Sequence, residues 1–129
     1  MAKSKSKDRR PPVAVAHVFL RATDIHAAAD WLETVGMRSI FNGDEVAVLE
    51  LRGGTHAVVL PAARKPRKGT EAPFDLMVDD IAAARRDFAA KGLNPGRIRK
   101  GRIHDTFDVI GPDGYVFAIT SSHAGRRAV

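Results

Sequence analysis

The feature that most limits what this chain can fold into is an internal repeat. A shift of 56 residues lays Asp24 on Asp80, Ile25 on Ile81, Ala27 on Ala83, Ala28 on Ala84 and Gly36 on Gly92. These five identities in thirteen positions mark a helix N-cap, an apolar stripe and a helix stop in both copies. Local helix chemistry alone can produce such matches. The order of elements around them repeats as well, which makes an internal duplication the better reading.

In the first copy, residues 13–20 read as a strand, and Pro11-Pro12 bars a helix before it. Asp24 is a candidate N-cap. Ile25, Ala28, Ala29, Leu32 and Val35 follow at helical spacing, with Trp31 at the stripe's edge and Gly36 as the stop. Residues 38–41, 45–51 and 56–60 read as three strands separated by Asn42-Gly43-Asp44 and Gly53-Gly54. After a proline- and lysine-rich linker, 61–73, the pattern restarts. It gives a strand at 74–78, a cap at Asp79 or Asp80, and a helix at 81–91 with Ile81, Ala84 and Phe88 as its stripe. Strands follow at 96–100, 105–110 and 115–120, the last two joined by Gly111-Pro112-Asp113-Gly114. The expectation is an α+β fold of two βαβββ modules, about 13–60 and 74–121, in one domain at 13–121. A basic tail, 1–12, precedes the domain and a short tail, 122–129, follows it.

A chain of 129 residues supports one hydrophobic core. It has no cysteine, which removes disulfides, thiolate nucleophiles and zinc–thiolate sites and fits a cytoplasmic setting. No run approaches the roughly 18–20 apolar residues of a membrane span, and the basic N-terminus has no apolar run behind it, so neither a span nor a secretory signal is expected. The formal charge of +6 lies entirely in the tails, on Lys3, Lys5, Lys7, Arg9 and Arg10 against Asp8, and on Arg126 and Arg127. A neutral body with basic tails does not predict a nucleic-acid-binding face. The first tail is expected to be solvated and disordered, and His26 and His123 to be solvated.

The two modules, His17 on the first strand, both cap-and-helix segments and Gly-Pro-Asp-Gly-Tyr at 111–115 resemble the vicinal-oxygen-chelate superfamily of glyoxalases, bleomycin-resistance proteins and extradiol dioxygenases. The resemblance spans 13–121, and its turn departs from the usual Asp-Pro-Asp-Gly by Gly111. It implies curved mixed sheets that form a cup, a small-molecule ligand and a homodimer. A linker of thirteen residues reaches roughly 40 Å and would permit modules to be exchanged between chains. The family's four metal-ligand positions fall on His17, Leu60, Pro73 and Ala118, of which His17 alone carries a donor. The resemblance therefore implies no complete family metal site and no glyoxalase or extradiol chemistry by the usual ligand set.

Strand alternation proposes further pocket residues. From Leu60 it selects Val58 and His56 and from Pro73 it selects Asp75; from the position where the resemblance implies a substrate-binding tyrosine, four residues before Pro112, it gives Asp108 and then Thr106 and His104, with Arg102 beyond. His17, His56, Asp75, His104 and Asp108 could form a displaced divalent-metal site or a set of hydrogen-bonded pairs; rim or surface positions are the commoner role for each. No catalytic residue is assigned. The leading reading is a small-molecule-binding protein without cofactor, for a neutral or anionic ligand because acidic walls are lacking. The alternative is a lyase, isomerase or dioxygenase-type metalloenzyme with relocated ligands around His17. Gly53-Gly54 is too short to cradle phosphate, and Ser121-Ser122-His123 lacks a carboxylate partner. The basic stretch Arg97, Arg99, Lys100, Arg102 would coat an edge strand or hold an anion at the cup mouth.

Deleting residues 1–12 is expected to change unfolding free energy by less than about 0.5 kcal/mol. Urea titration of the truncated chain checks this; a larger loss would show that the tail is docked.

Overall fold

The computed structural model describes residues 7–129, and the expected disorder of the first six lies outside the described residues. Strand β1 (His17–Ala22), helix α1 (Ile25–Val35), β2 (Arg38–Asn42), β3 (Ala47–Glu50) and β4 (His56–Pro61) form the first module. Strand β5 (Leu76–Val78), helix α2 (Ile81–Ala90), β6 (Thr106–Ile110) and β7 (Val116–Ser121) form the second. The first sheet has the order β1-β4-β3-β2 and the second β5-β7-β6. In both modules the strand before the helix pairs parallel with the module's last strand.

The caps form as the repeat predicts. Asp24 accepts from the Ala27 amide and Asp80 from the Ala83 amide, both at 3.0 Å, each satisfying one of the amides a helix start leaves open. Gly36 and Gly92 take positive φ, 136° and 79°, as helix-ending glycines do.

The second module is less regular than the repeat suggests. The strand expected at 96–100 is reduced to a bridge between Arg99 and Thr106, flanked by a bond from the Gly96 amide to the Asp108 carbonyl. Pro95 lacks a donor and Asn94 sits at φ 52°, so the segment enters the sheet edge too bent to pair continuously. The strand expected at 74–78 shortens to β5, while Glu71 pairs separately with Val116. Residues 73–75 bulge between these two pairings. The end of the expected linker is therefore tied to β7, and its first residue, Pro61, closes β4.

One core runs through both modules. Alternate strand residues face it: Leu20 and Ala22, Ala47 and Leu49, Ala57 and Val59, Phe107 and Val109, Phe117 and Ile119. Helix α1 adds Ile25, Ala28, Ala29 and Leu32, and α2 adds Phe88 edge-on to Phe107 at 5.5 Å. Trp31 of α1 reaches across to Phe117 of β7, with ring centroids 4.9 Å apart, and Phe74 meets the same phenylalanine at 5.6 Å. The modules thus join through their helix-bearing sides.

Two polar contacts reinforce this joint reciprocally. Thr23, just before α1, donates from its amide and hydroxyl to Asp113 at 2.8 and 2.6 Å. Asp79, its equivalent under the 56-residue shift, pairs with Arg52 in the turn before β4. Asp113 holds φ 58°, an unusual conformation for a non-glycine residue, stabilised by the two bonds it accepts.

The same joint accounts for the glycine in the 111–115 turn. A Cβ at Gly111 would lie 2.7 Å from the Phe117 ring and 3.0 Å from Trp31. Its φ of −107° suits any residue, so space alone demands glycine. Gly111→Ala is expected to cost about 1–3 kcal/mol by overpacking, read as a lower urea midpoint, whereas an unchanged midpoint would show that the two rings can yield.

Candidate functional site

Because the modules meet through their helix-bearing sides, the other face of each sheet is left free of the chain's own core. On the first sheet this face carries two rows that cross the strands. Register places His17 opposite His56, Glu50 opposite His56 and Arg38 opposite Glu50. The next row is apolar: Phe19 is opposite Val58, Val48 opposite Val58 and Phe41 opposite Val48. Phe19 and Phe41 are 53% and 55% exposed, high for residues that bury so much apolar surface when covered.

The polar row is wired together. Arg38 donates from Nε to Glu50 Oε1 at 2.9 Å, and His56 Nε2 lies 3.3 Å from Glu50 Oε2. The bond from Arg38 holds the Glu50 carboxyl below its ordinary range, partly opposed by desolvation, so it remains ionised near neutrality. The ring of His17 lies 6.2 Å from that of His56 and 6.1 Å from Phe19.

Parity predicted from the sequence holds along β4, where His56, Val58 and Leu60 share the free face while Ala57 and Val59 are buried. Leu60, however, pairs with Arg21, four residues along the strand from His17, and the cross-strand partner of His17 is His56. Parallel register depends on how the α1–β2–β3 connection closes, which residue alternation does not report.

On the second sheet Pro73, Asp75, Asp108 and Ala118 come together, lining a hollow of about 380 Å³ with Glu71 and Arg99. Ala118 is the cross-strand partner of Asp108, and Asp108 pairs with Arg99 at 3.1 Å. Arg99 was not among the expected pocket residues; the bridge that aligns it with Thr106 also aims it at Asp108. His104 lies apart from this hollow. It bonds Thr106 Oγ1 at 3.0 Å and stacks on His123 at 4.5 Å and 19°. The expected pocket residues are thus divided among three places: His17, His56 and Leu60 on the first sheet, Asp75, Asp108 and Ala118 on the second, and His104 in a groove beside it. Among the described residues no group of three or more His, Cys, Asp and Glu side chains is placed to hold a metal ion. No described helix is long and apolar enough to cross a membrane.

No protein-family model and no curated sequence matches the chain. Solved structures do. A glyoxalase/bleomycin resistance protein/dioxygenase from Alicyclobacillus acidocaldarius superposes with a TM-score of 0.70 at 19% identity, over 91% of this chain and 97% of its own. Lactoylglutathione lyase from Agrobacterium tumefaciens gives 0.68 at 16% identity, over 88% and 97%. A bleomycin resistance determinant encoded on the transposon Tn5 gives 0.65 at 17% identity, over 85% and 98%. These likenesses show that the chain shares the fold of glyoxalase/bleomycin resistance/dioxygenase proteins, the fold that the 13–121 resemblance implied.

His26 is solvated as expected, with 51% of its side chain exposed, and it also makes two hydrogen bonds. Its Nδ1 lies 2.8 Å from Asn42 Oδ1 and its Nε2 2.9 Å from Asp44 Oδ1, tying α1 to the β2–β3 turn. Only the doubly protonated ring can donate to both oxygens. The Asp44 bond first, and the Asn42 bond second, raise its pKa above 6.5. The tie therefore stabilises the fold fully below the unfolded-state value and loses this contribution as pH rises through the folded-state value. Thermal melts from about pH 5.5 to about pH 8.5 should show a decline in His26→Gln smaller than in the parent chain. Parallel pH profiles would exclude the linkage.

Proposed function

We propose that this chain binds a small, largely apolar molecule in a cup that two copies complete. The observation that carries the reading is the uncovered face of the first sheet. The row Phe19, Val58, Val48 and Phe41 makes an apolar floor, and the row His17, His56, Glu50 and Arg38 gives it one hydrogen-bonding border. This is the composition of a ligand site, mostly apolar with a few placed polar groups. An open sheet face is not an enclosed site, and isologous association of two chains is the usual way to cover one. A contact of roughly 1,200–2,000 Å² is expected of such a dimer.

The metal that the fold family implies does not fit the residues at its positions. Leu60, Pro73 and Ala118 contribute no side-chain donor, and one imidazole does not form a coordination shell. Sequestration of a ligand without chemistry is therefore the leading reading, one that a bleomycin resistance determinant of the same fold makes reasonable. The closeness of His17 to His56 supports a second reading, a metalloenzyme with relocated ligands. Glu50, the nearest carboxylate in the row, would have to leave Arg38 to join them.

Light scattering is expected to give a mass near 28 kDa, twice the chain's 14.0 kDa. Titration with the fluorescent apolar anion anilinonaphthalene sulfonate should saturate, and Phe19→Asp should weaken it about tenfold or more with little change in melting temperature, as befits a half-exposed side chain. A monomer without saturable dye binding would sink the proposal. One equivalent of divalent ion per chain in elemental analysis, lost in His17→Ala, would decide for the metalloenzyme.

A further inference from the structure

The unexplained feature outside the cup is a basic surface at the far edge of the second sheet. Charge counted along the sequence separates a neutral body from basic tails, but the fold joins the C-terminal segment to the body. His123 of the C-terminal segment stacks on His104, Ala124 is buried, and Arg127 turns back to donate to the His123 carbonyl at 2.7 Å. This brings the segment carrying Arg126 and Arg127 to the 97–106 strip.

Within this surface Arg99 is neutralised by Asp108 and Lys100 by Asp105. The bond from Lys100 keeps Asp105 below the ordinary carboxylate range, so that pair persists at neutral pH. Arg97, Arg102, Arg126 and Arg127 have no carboxylate partner among the described residues. A groove of about 410 Å³ runs along the strip, lined by Arg99, Lys100, Arg102, Ile103, His104 and Thr106. Ile103 is 80% exposed, and the exposed ring of His123 covers His104. An edge that needed charge only against aggregation would not also present a stacked pair of rings and a bare isoleucine.

We propose that this surface binds single-stranded nucleic acid. Unpaired guanidinium groups would follow the phosphates, and His123, backed by His104, would offer a flat face for an unstacked base beside apolar Ile103. A basic groove combined with stacking side chains is what sequence-tolerant single-strand binding requires. Duplex DNA, whose bases are already stacked, would use only the charges.

The test is fluorescence anisotropy of the full chain with a labelled oligothymidylate of about twelve nucleotides. Four phosphates neutralised predict a roughly fifty-fold loss of affinity from about 50 to about 200 mM salt. Binding should survive replacement of Lys3, Lys5, Lys7 and Arg9 by alanine and fall at least tenfold in the double variant Arg97→Glu/Arg102→Glu. Both arginines are exposed and unpartnered, so circular dichroism should confirm an intact fold. His123→Ala should weaken the oligonucleotide about tenfold, the worth of one stacked base, and leave inorganic polyphosphate unchanged. No saturable binding, or binding that follows the N-terminal lysines, would overturn the proposal. Equal effects of His123→Ala on both polyanions would replace nucleic acid by a general anion surface and overturn it as stated.

Discussion

The contact between Trp31 and Phe117, 4.9 Å between ring centroids, is where the first helix of one module meets the last strand of the other. Much else follows from it. It commits the helix-bearing sides of both sheets to the shared core, and so turns their other faces outward. It excludes any side chain at residue 111. It also aligns the Thr23–Asp113 and Arg52–Asp79 contacts, one on each side of the approximate two-fold relation between modules. Energetically these are unequal. Both rings carry large apolar surface, whereas the Arg52–Asp79 pair is mostly exposed and worth at most about 1 kcal/mol. The polar contacts set the register of the joint and the aromatic contact supplies most of its strength.

What the sequence made legible is what local chemistry determines. Asp24 and Asp80 cap because a short acidic side chain can reach the third amide after it, and Gly36 and Gly92 stop helices because positive φ suits glycine. Parity along β4 was not legible in polarity, since Val58 and Leu60 are as apolar as buried Ala57 and Val59; it was set from Leu60, a position that the family resemblance supplied. The pairing of His17 with His56 was not readable. It depends on parallel register between strands separated by a helix and two other strands, and nothing in either strand records it. The irregularity of the second module was hidden for a related reason. Residues 96–100 have the polarity of an edge strand, but Asn94 and Pro95 bend the chain before it can pair.

Strand alternation could name candidate residues but not which of them share a surface. Asp75, Asp108 and Ala118 gather with Pro73, but apart from His17 and His56, with which the alternation had grouped the two aspartates, while His104 belongs to a different surface. Glu50 escaped notice, and Arg99 was read only as part of a basic stretch, because long charged side chains on half-exposed strands usually face solvent; only the cross-strand register shows that Arg99 meets Asp108 and that Glu50 joins Arg38 to His56. Charge behaved similarly. The tail's contribution could not be assigned to a surface until His123 was seen against His104.

The reciprocal contacts at the joint are equivalent in position but not in chemistry. The first module contributes Thr23 and Arg52, a hydroxyl and a cation; the second contributes Asp79 and Asp113, two anions. Two copies of the second half meeting in the same way would set carboxylate against carboxylate, Asp79 facing Asp113, at both symmetry-related contacts, since its turn offers Asp113 where the other half offers Arg52. Two copies of the first half would leave each guanidinium facing a threonine. The halves of this repeat have therefore become partners for each other and poor partners for themselves, so that a symmetrical ancestor, if rebuilt from either half, would have to be given back the complementarity that divergence has divided between them.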